Sequence, residues 1–348
     1  MKFGKIKIKR EYLERALVAS AAALVLFLAA RGTQTPLVEV PYEQVPKDDT
    51  TTAAEPSVPM QPTTLYYRDG TGYLVPVTME VPQQDGIAKA TLSLLTSSPL
   101  NDMEAAALGL LTVAPAGTTY DLDIAAGNAR VDLSKEALNV ADAAQENAMV
   151  SAIVETLTTF DTVETVEFLV DGQKRSKLTF GTDVSGVFSG GALNPESVAT
   201  AADLSGAETV QLYFPSESGR MLVPVTRVVY GEADVNTAVF ELLKGPKADS
   251  GLQSALPQDC ALIDVSMKDG VAIVNLSKEF EAVVTQADGG RHALRAIHLT
   301  CSRFPGVESV EFQVEGKPYT VEGIETKPTF VNSAAEIEAW FPGVLEVE

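Results

Sequence analysis

The feature that most constrains the fold of this chain is an internal duplication. Three segments occur twice in the same order, at offsets of 148, 143 and 144 residues: 74–78 and 222–226, 131–136 and 274–279, and 163–172 and 307–316. The first pair is identical (LVPVT), and the second shares five of six residues. Chance does not produce three ordered matches at a nearly constant offset. The chain therefore contains two copies of one folding unit.

Each copy shows two helical stripes of apolar residues. Spacings of i, i+3, i+4, i+7 predict a first helix near 87–95 and again near 235–243, each with one buried face. A second stripe predicts helices near 149–160 and 293–304. The residues of the second stripe are Met149, Ala152, Ile153, Thr156, Leu157 and Phe160, matched by Ala293, Ala296, Ile297, Thr300, Cys301 and Phe304.

Strand patterns surround these helices. Alternating and apolar runs flank turn signals such as Ser218-Gly219 and Asp269-Gly270. Each copy is therefore predicted to be a β-β-α-β-β-α-β module with room for a short final strand. The predicted fold class is α+β, with two tandem modules whose helices lie on one face of a mixed or antiparallel sheet.

Length and composition place these modules within the chain. A chain of 348 residues with 45% hydrophobic and 21% charged residues is typical of a globular protein with two domains. The predicted division is a signal peptide or membrane anchor at 1–31, a Pro/Thr-rich stalk at 32–62, a first domain at 63–180, a linker at 181–207, a second domain at 208–325 and a C-terminal tail at 326–348.

The N-terminal segment has the layout of an export signal. Residues 1–15 carry six basic and two acidic side chains, and residues 16–30 are uncharged and apolar. Fifteen residues are short for a membrane span, which needs about 20. Residues 28–30 (LAA) resemble the segment before the lipid-modified cysteine of bacterial lipoproteins, but Arg31 stands at the cysteine position. Cleavage, a lipid-free anchor and a lipoprotein-like variant all remain open.

The charge distribution bears on partners. The chain carries a net charge of −21, and the part after Arg31 carries −26. Such a body is repelled by phosphate backbones and anionic lipid headgroups, which argues against nucleic acid and against a flat membrane surface as ligands. The positive-inside rule places this acidic body outside the cytoplasm.

Histidine and cysteine do not form a predicted site. His292 and His298 lie six residues apart on one helix, so they cannot jointly hold one metal ion, and they are predicted to be solvated or half-buried. Cys301 falls on the apolar stripe, which favours a small buried side chain. A disulfide between Cys260 and Cys301 is the alternative if the protein faces an oxidising space.

Carboxylates are abundant, but none has the spacing of a catalytic pair. Asp121, Asp123 and Asp132 leave a loose cation site open without matching a calcium loop. No catalytic residue, cofactor site or metal site is predicted. The candidate interaction surface consists of acids that alternate with Val and Phe on predicted strands: Glu164, Glu167, Glu308 and Glu311.

Two prolines limit the hydrogen bonding of the LVPVT strands. Pro76 and Pro224 have no N–H to donate to a neighbouring strand. Each strand is therefore predicted to be an edge strand or to carry a bulge, and its proline to block unwanted pairing.

A family resemblance rests on the combination of these segments. An opening strand with an aromatic pair (65–67 and 212–214), then Leu-Val-Pro, then a helix ending in LLKGP at 242–246, resembles the GerMN module of GerM-type sporulation and spore germination proteins. The match continues through 269–277 and the closing repeat, and covers about 240 residues. The first copy departs from the pattern at 97–99 and 126–128.

The resemblance implies a function without catalysis. It implies an extracytoplasmic membrane protein, typically lipid-anchored, that faces the space between mother cell and forespore. Its modules are akin to ring-building motifs, and its partners are envelope and sporulation proteins, with ring-forming channel components and self-assembly as open options. The alternative is an accessory module that binds cell-wall glycan or another ligand.

Overall fold

The structure is a computed structural model that describes residues 59–197, 204–286, 288, 290–322 and 331–340. Residues Met60–Pro342 form one compact unit. Among the described residues, no helix has the length and apolar character needed to cross a membrane. The predicted anchor at 1–31 and nearly all of the predicted stalk lie outside the described residues.

The first copy contains a hairpin, three helices and a four-stranded sheet. Its elements are β1 (Met60–Asp69), β2 (Leu74–Pro82), α1 (Ile87–Leu94), α2 (Pro99–Ala107), β3 (Leu110–Leu111), β4 (Tyr120–Ala125), β5 (Asn128–Leu133), α3 (Ala143–Leu157), β6 (Thr165–Val170) and β7 (Val187–Phe188). One sheet has the order β2-β1-β3 and the other β4-β5-β6-β7. Strands β5 and β6 are parallel, whereas β4 and β7 pair antiparallel with their neighbours.

The second copy repeats this plan. Its elements are β8 (Ala207–Pro215), β9 (Leu222–Tyr230), α4 (Val235–Leu243), β10 (Leu262–Lys268), β11 (Val271–Leu276), α5 (Arg291–Cys301), β12 (Ser309–Val314), β13 (Lys317–Tyr319) and α6 (Ala334–Trp340). Strands β8 and β9 form a hairpin, and the other strands form the sheet β10-β11-β12-β13. The predicted element order is confirmed here, including the short final strand.

The expectation of one sheet per module is wrong. Each module holds a hairpin sheet and a four-stranded mixed sheet, and its long helix packs against both: α3 against β1 and β6, and α5 against β8 and β12. A single helix thus supplies the apolar surface that both sheets bury.

The predicted stripes of the long helices are confirmed. Met149, Ile153 and Leu157 of α3 are fully buried, as are Ile297 and Cys301 of α5. Between the long helix and the sheets, these side chains form the centre of each module's core.

The stripe predicted for α1 is shifted. The spacing i, i+3, i+4, i+7 from Ile87 leaves out Leu92, which is fully buried, whereas Ile87 and Leu94 on that spacing are only half-buried. The buried residues Ala88, Thr91, Leu92 and Leu95 form a stripe one position further along, and the helix contacts the hairpin, β4 and α3.

Replacement of Leu242 by alanine tests the second core. Leu242 on α4 is 1% exposed, so we expect Leu242→Ala to lower the free energy of unfolding by about 2–5 kcal/mol, measured by urea denaturation. Phe240 on the same helix is 52% exposed and lies beside the Lys244 ammonium. Phe240→Ala is the matched control, and a loss as large as that of Leu242→Ala would contradict the assigned core.

The segment between the copies is packed in its first part. Val184 and Leu193 join the first core, and β7 pairs with β6. The buried carboxylate of Glu146 accepts hydrogen bonds from the N–H groups of Phe180 at 2.9 Å and Thr182 at 3.0 Å. Burial alone would raise the pKa of Glu146, but these bonds outweigh it and lower the pKa. Residues 181–197 therefore extend the first module rather than forming a free connection.

Candidate functional site

The two modules meet along the LVPVT strands. Strand β2 lies at the edge of its sheet, β9 belongs to a two-stranded hairpin, and the two strands contact each other. Pro76 pairs with Tyr66 and Pro224 with Tyr213, at the same position of the two hairpins. The predicted edge character is confirmed, and each edge is covered by the other module and by two short segments of the same chain.

One of these segments, residues 331–333, is called the second strap because it follows the other, residues 193–196, in the chain. The Asn332 side chain is 5% exposed. Its Oδ1 accepts the Leu222 N–H at 2.9 Å, and its Nδ2 donates to Leu222 O at 2.9 Å and to Pro76 O at 2.7 Å. Its main-chain oxygen accepts the Thr78 N–H at 2.7 Å. One asparagine therefore ties β9 of the second module to β2 of the first.

The first strap, residues 193–196, repeats this arrangement with the modules exchanged. Asn194 Oδ1 accepts the Leu74 N–H at 2.8 Å, and Nδ2 donates to Leu74 O at 2.8 Å and to Pro224 O at 2.7 Å. Its main-chain oxygen accepts the Thr226 N–H. Asn194 and Asn332 are 138 residues apart, so the duplication extends beyond the segments recognised in the sequence. In the sequence, the two straps share only an Asn that follows an apolar residue.

A buried ion pair joins β9 of the second module to the first strap. Arg227 of β9 donates from Nε and Nη2 to the Glu196 carboxylate at 2.7 and 2.8 Å. Its Nη1 donates to Glu241 O at 2.8 Å. Both side chains of the Arg227–Glu196 pair are more than nine-tenths buried. Because Glu196 belongs to the first strap, this pair also binds the two modules together.

The four predicted surface glutamates divide into two kinds. Glu164 and Glu308 precede β6 and β12, and each donates its N–H at 2.7 Å to the turn glycine, Gly127 or Gly270. Their side chains lie against these glycines, at the turns that join β4 to β5 and β10 to β11. These two glutamates are exposed, as predicted, but they lie just before their strands and not on a strand face.

Glu167 and Glu311 do lie on the open faces of their sheets. Glu167 is opposite Arg130 and forms an ion pair with Lys174, while Arg130 pairs with Asp123. Glu311 is exposed and opposite Ile273. The Glu311 carboxylate has no ion pair in the described part of the chain. The two modules thus offer a charge-balanced face and an unpaired acid at equivalent positions.

The prediction for the histidines is wrong, since both are buried. His292 is 7% and His298 4% exposed. Asp288 accepts the His292 N–H at 2.6 Å at the start of α5 and lies 2.7 Å from His292 Nδ1. Burial would raise the pKa of Asp288, but the hydrogen bonds from His292 outweigh it and lower the pKa to about 2. His292 therefore helps to fix the start of the helix.

The cysteines are separate thiols. Cys260 and Cys301 are both buried and unbonded, so the disulfide alternative is not formed. Burial raises the pKa of Cys260 to about 11 and that of Cys301 to about 12. Neither thiol has the electropositive, accessible surroundings of a reactive cysteine.

The aspartates of the first copy are distributed among separate partners. Asp123 pairs with Arg130 at 2.6 Å, and Asp121 lies 3.7 Å from the Lys89 ammonium. Asp132 accepts the Gly172 N–H. Within the described ranges, no group of three or more His, Cys, Asp or Glu side chains has the arrangement of a metal site.

Comparison with known proteins identifies the family. The profile of the family named Germane, described as "Sporulation and spore germination", matches residues 64–176 and 211–320. The chain is 30% identical over 267 residues to spore germination protein GerM of Bacillus subtilis (strain 168), covering 73% of this chain and 71% of that protein. A solved structure of the tandem GerMN domains of GerM from Bacillus subtilis has a TM-score of 0.68 and 28% identity, covering 79% of this chain and 99% of that chain. With both copies matched and the folds alike, the chain belongs to the Germane family of sporulation and spore germination proteins.

Proposed function

We propose that this chain is a non-enzymatic assembly protein on the outer face of the cell membrane in sporulating bacteria. In this proposal, residues 1–31 hold it at the membrane and the acidic tandem modules dock to envelope proteins in the space between mother cell and forespore. The observation that carries the proposal is Glu311, an exposed and unpaired acid on the open face of the second four-stranded sheet. Family membership supports the sporulation context.

The covered strand edges direct docking toward other surfaces. Strands β2 and β9 have their outward backbone groups occupied by the straps, so they cannot accept a partner strand without opening the seam. Strand β10 lies at the outer edge of its sheet, and its Ile263 and Met267 are 48% and 49% exposed. On the open face itself, the half-buried Ile273 lies beside Glu311, and an apolar side chain next to an unpaired acid is suited to a protein partner with a basic rim.

Charge balance separates the two modules. On the first sheet, Glu167 is offset by Lys174 and Arg130 by Asp123, so its open face carries little net charge at this row. The corresponding row of the second sheet is Ser266, Ile273 and Glu311, with no basic side chain. The second module is therefore the proposed docking module for a basic partner.

The test is charge reversal at Glu311. We expect Glu311→Lys to reduce recovery of envelope proteins with the chain, and the yield of heat-resistant spores, because the attraction to a basic partner becomes repulsion. Its melting temperature and cellular level should stay near those of the parent, since Glu311 is exposed. Glu232→Lys is the matched control, because Glu232 is an exposed acid away from the sheet.

The same experiment also tests the rival function, which is glycan binding. If Glu311→Lys left partner recovery and spore yield unchanged while the purified chain bound isolated cell-wall sacculi, glycan binding would replace docking. Glu308 is unsuitable for this comparison because its side chain packs on the turn at Gly270, where reversal would disturb the hairpin.

A further inference from the structure

A cleft of about 410 Å³ lies on the seam between the modules, on neither of the open sheet faces. Its frame is built from equivalent residues of the two copies: Tyr66 and Tyr213, Pro76 and Pro224, and Leu193 and Val331. This volume is within the range of small-molecule sites, about 300–1,000 Å³. The frame follows from the duplicated fold, so any specificity must come from residues that are not duplicated.

The two charged groups that distinguish the cleft are not duplicated. Glu155 on α3 and Arg303 after α5 both line it, whereas the third charged residue of the lining, Glu164, has the counterpart Glu308 in the second copy. At the offset of 144 residues, the counterpart of Glu155 is Leu299 and the counterpart of Arg303 is Thr159. A module of this kind therefore folds without either charge. Their presence together in one cleft is not explained by the needs of the fold.

Glu155 is a buried carboxylate held in place by backbone. It is 9% exposed, and its Oε1 accepts the Gly191 N–H at 2.8 Å. A Cβ at Gly190 would come within 2.3 Å of Thr158 Oγ1 and 3.2 Å of Glu155 Oε2, so only glycine lets this loop approach the helix. Burial raises the pKa of Glu155, which means that keeping the charge here costs folding free energy.

Arg303 is the opposite charge across the cleft. Its side chain is exposed, and in the described part of the chain its guanidinium forms no ion pair within 4.0 Å of a carboxylate. Burial raises the pKa of Glu155 and of both tyrosines of the frame, and the positive charge of Arg303 opposes this rise. The Glu155 carboxylate and the Arg303 guanidinium thus share one cleft without contacting each other. A ligand carrying both charges would satisfy both groups.

We propose that this cleft binds a small zwitterion, either a free amino acid or a short peptide. The ligand's ammonium lies against Glu155 and its carboxylate against Arg303, which can form two parallel hydrogen bonds to it. The apolar part of the ligand packs on Leu193 and Val331, with the Tyr66 ring beside it. Since each charge is needed for one end of the ligand, neutralising either end should weaken binding.

Calorimetric titration of the full chain with alanyl-alanine tests this proposal. We expect saturable binding of the zwitterionic dipeptide. Its N-acetyl and C-amide derivatives should bind about tenfold more weakly or less, because each lacks one charge. Parallel titrations with the L,L and D,D forms distinguish a protein-derived peptide from a wall-derived one. Equal binding of the neutralised derivatives, or no saturable binding at millimolar concentration, would overturn the proposal.

The variants use the residues that the other copy carries. Arg303→Thr and Glu155→Leu should each weaken dipeptide binding about tenfold or more, whereas Arg175→Thr, at an exposed position outside the cleft, should not. Arg303→Thr replaces an exposed side chain, so its fold is preserved even if Glu155→Leu proves unstable. Unchanged binding by a folded Arg303→Thr variant would show that the guanidinium has no part in recognition. Glu311→Lys should bind the dipeptide normally, which keeps this result separate from docking.

Discussion

Asn332→Ala is expected to destabilise the protein by about 3–5 kcal/mol in urea denaturation. The truncation removes three hydrogen bonds of a side chain that is 5% exposed and leaves the Leu222 N–H, Leu222 O and Pro76 O without their partner. Each buried polar group left unsatisfied costs about 1–3 kcal/mol, and water entering the seam recovers part of this. No apolar loss of similar size accompanies the change, because the asparagine amide is small.

Two further variants give this expectation its controls. Asn236→Ala, at an exposed position on α4, should change the free energy of unfolding by no more than about 0.5 kcal/mol. Asn332→Asp keeps the acceptor for Leu222 N–H but loses the donor to Pro76 O and Leu222 O, so it should be about as damaging as alanine. If Asn332→Ala behaved like Asn236→Ala, the strap would not hold the modules together.

The modules themselves were predictable because duplication supplies independent readings of one pattern. The 3.6-residue stripe of α3 and that of α5 agree position by position, and Ile153 and Ile297 are both fully buried. The Asp269-Gly270 turn was predicted from its dipeptide, and both residues have the positive φ of the expected hairpin turn. Signals that depend on local chemistry and repeat twice are therefore the ones that sequence reasoning recovers.

The extra helix of the first copy shows how a departure can be interpreted only in part. Where the family pattern has Gly-Pro, the first copy has Ser97-Ser98-Pro99. In the structure Ser98 caps α2 by accepting the Asn101 N–H at 3.1 Å, and Pro99 occupies the first turn. A departure from the family pattern alone does not predict a helix here, although Ser-Pro is also a helix-start signal.

The seam could not be predicted, because its determinants are single polar residues far apart in the chain. Asn194 reaches Leu74 across 120 residues, and Asn332 reaches Pro76 across 256. Neither asparagine belongs to a periodic pattern, and both lie in segments assigned to a linker and a tail. The prolines indicated that β2 and β9 were edges, but a missing N–H does not reveal what covers the edge. Partner choice at an edge is a tertiary property.

The buried pair of Arg227 and Glu196 gives the second large expectation. Glu196→Ala leaves a guanidinium that is 8% exposed with Glu241 and two main-chain oxygens as its remaining partners. Removing one member of a buried pair costs about 3–5 kcal/mol, and the remaining acceptors favour the lower end of that range. By contrast, Glu167→Ala breaks the exposed pair with Lys174 and should cost no more than about 1 kcal/mol.

The first module shows how the same seam is built without this charge. The counterpart of Arg227 is Met79, at the offset of 148, and the counterpart of Glu196 is Ala334, at the offset of 138. We therefore expect the double variant Arg227→Met with Glu196→Ala to recover much of the loss caused by Glu196→Ala, since no unpaired charge stays buried. In a double-mutant cycle the coupling energy should be about 2–3 kcal/mol. Additive losses would mean that the two side chains stabilise the seam independently, through contacts other than the ion pair.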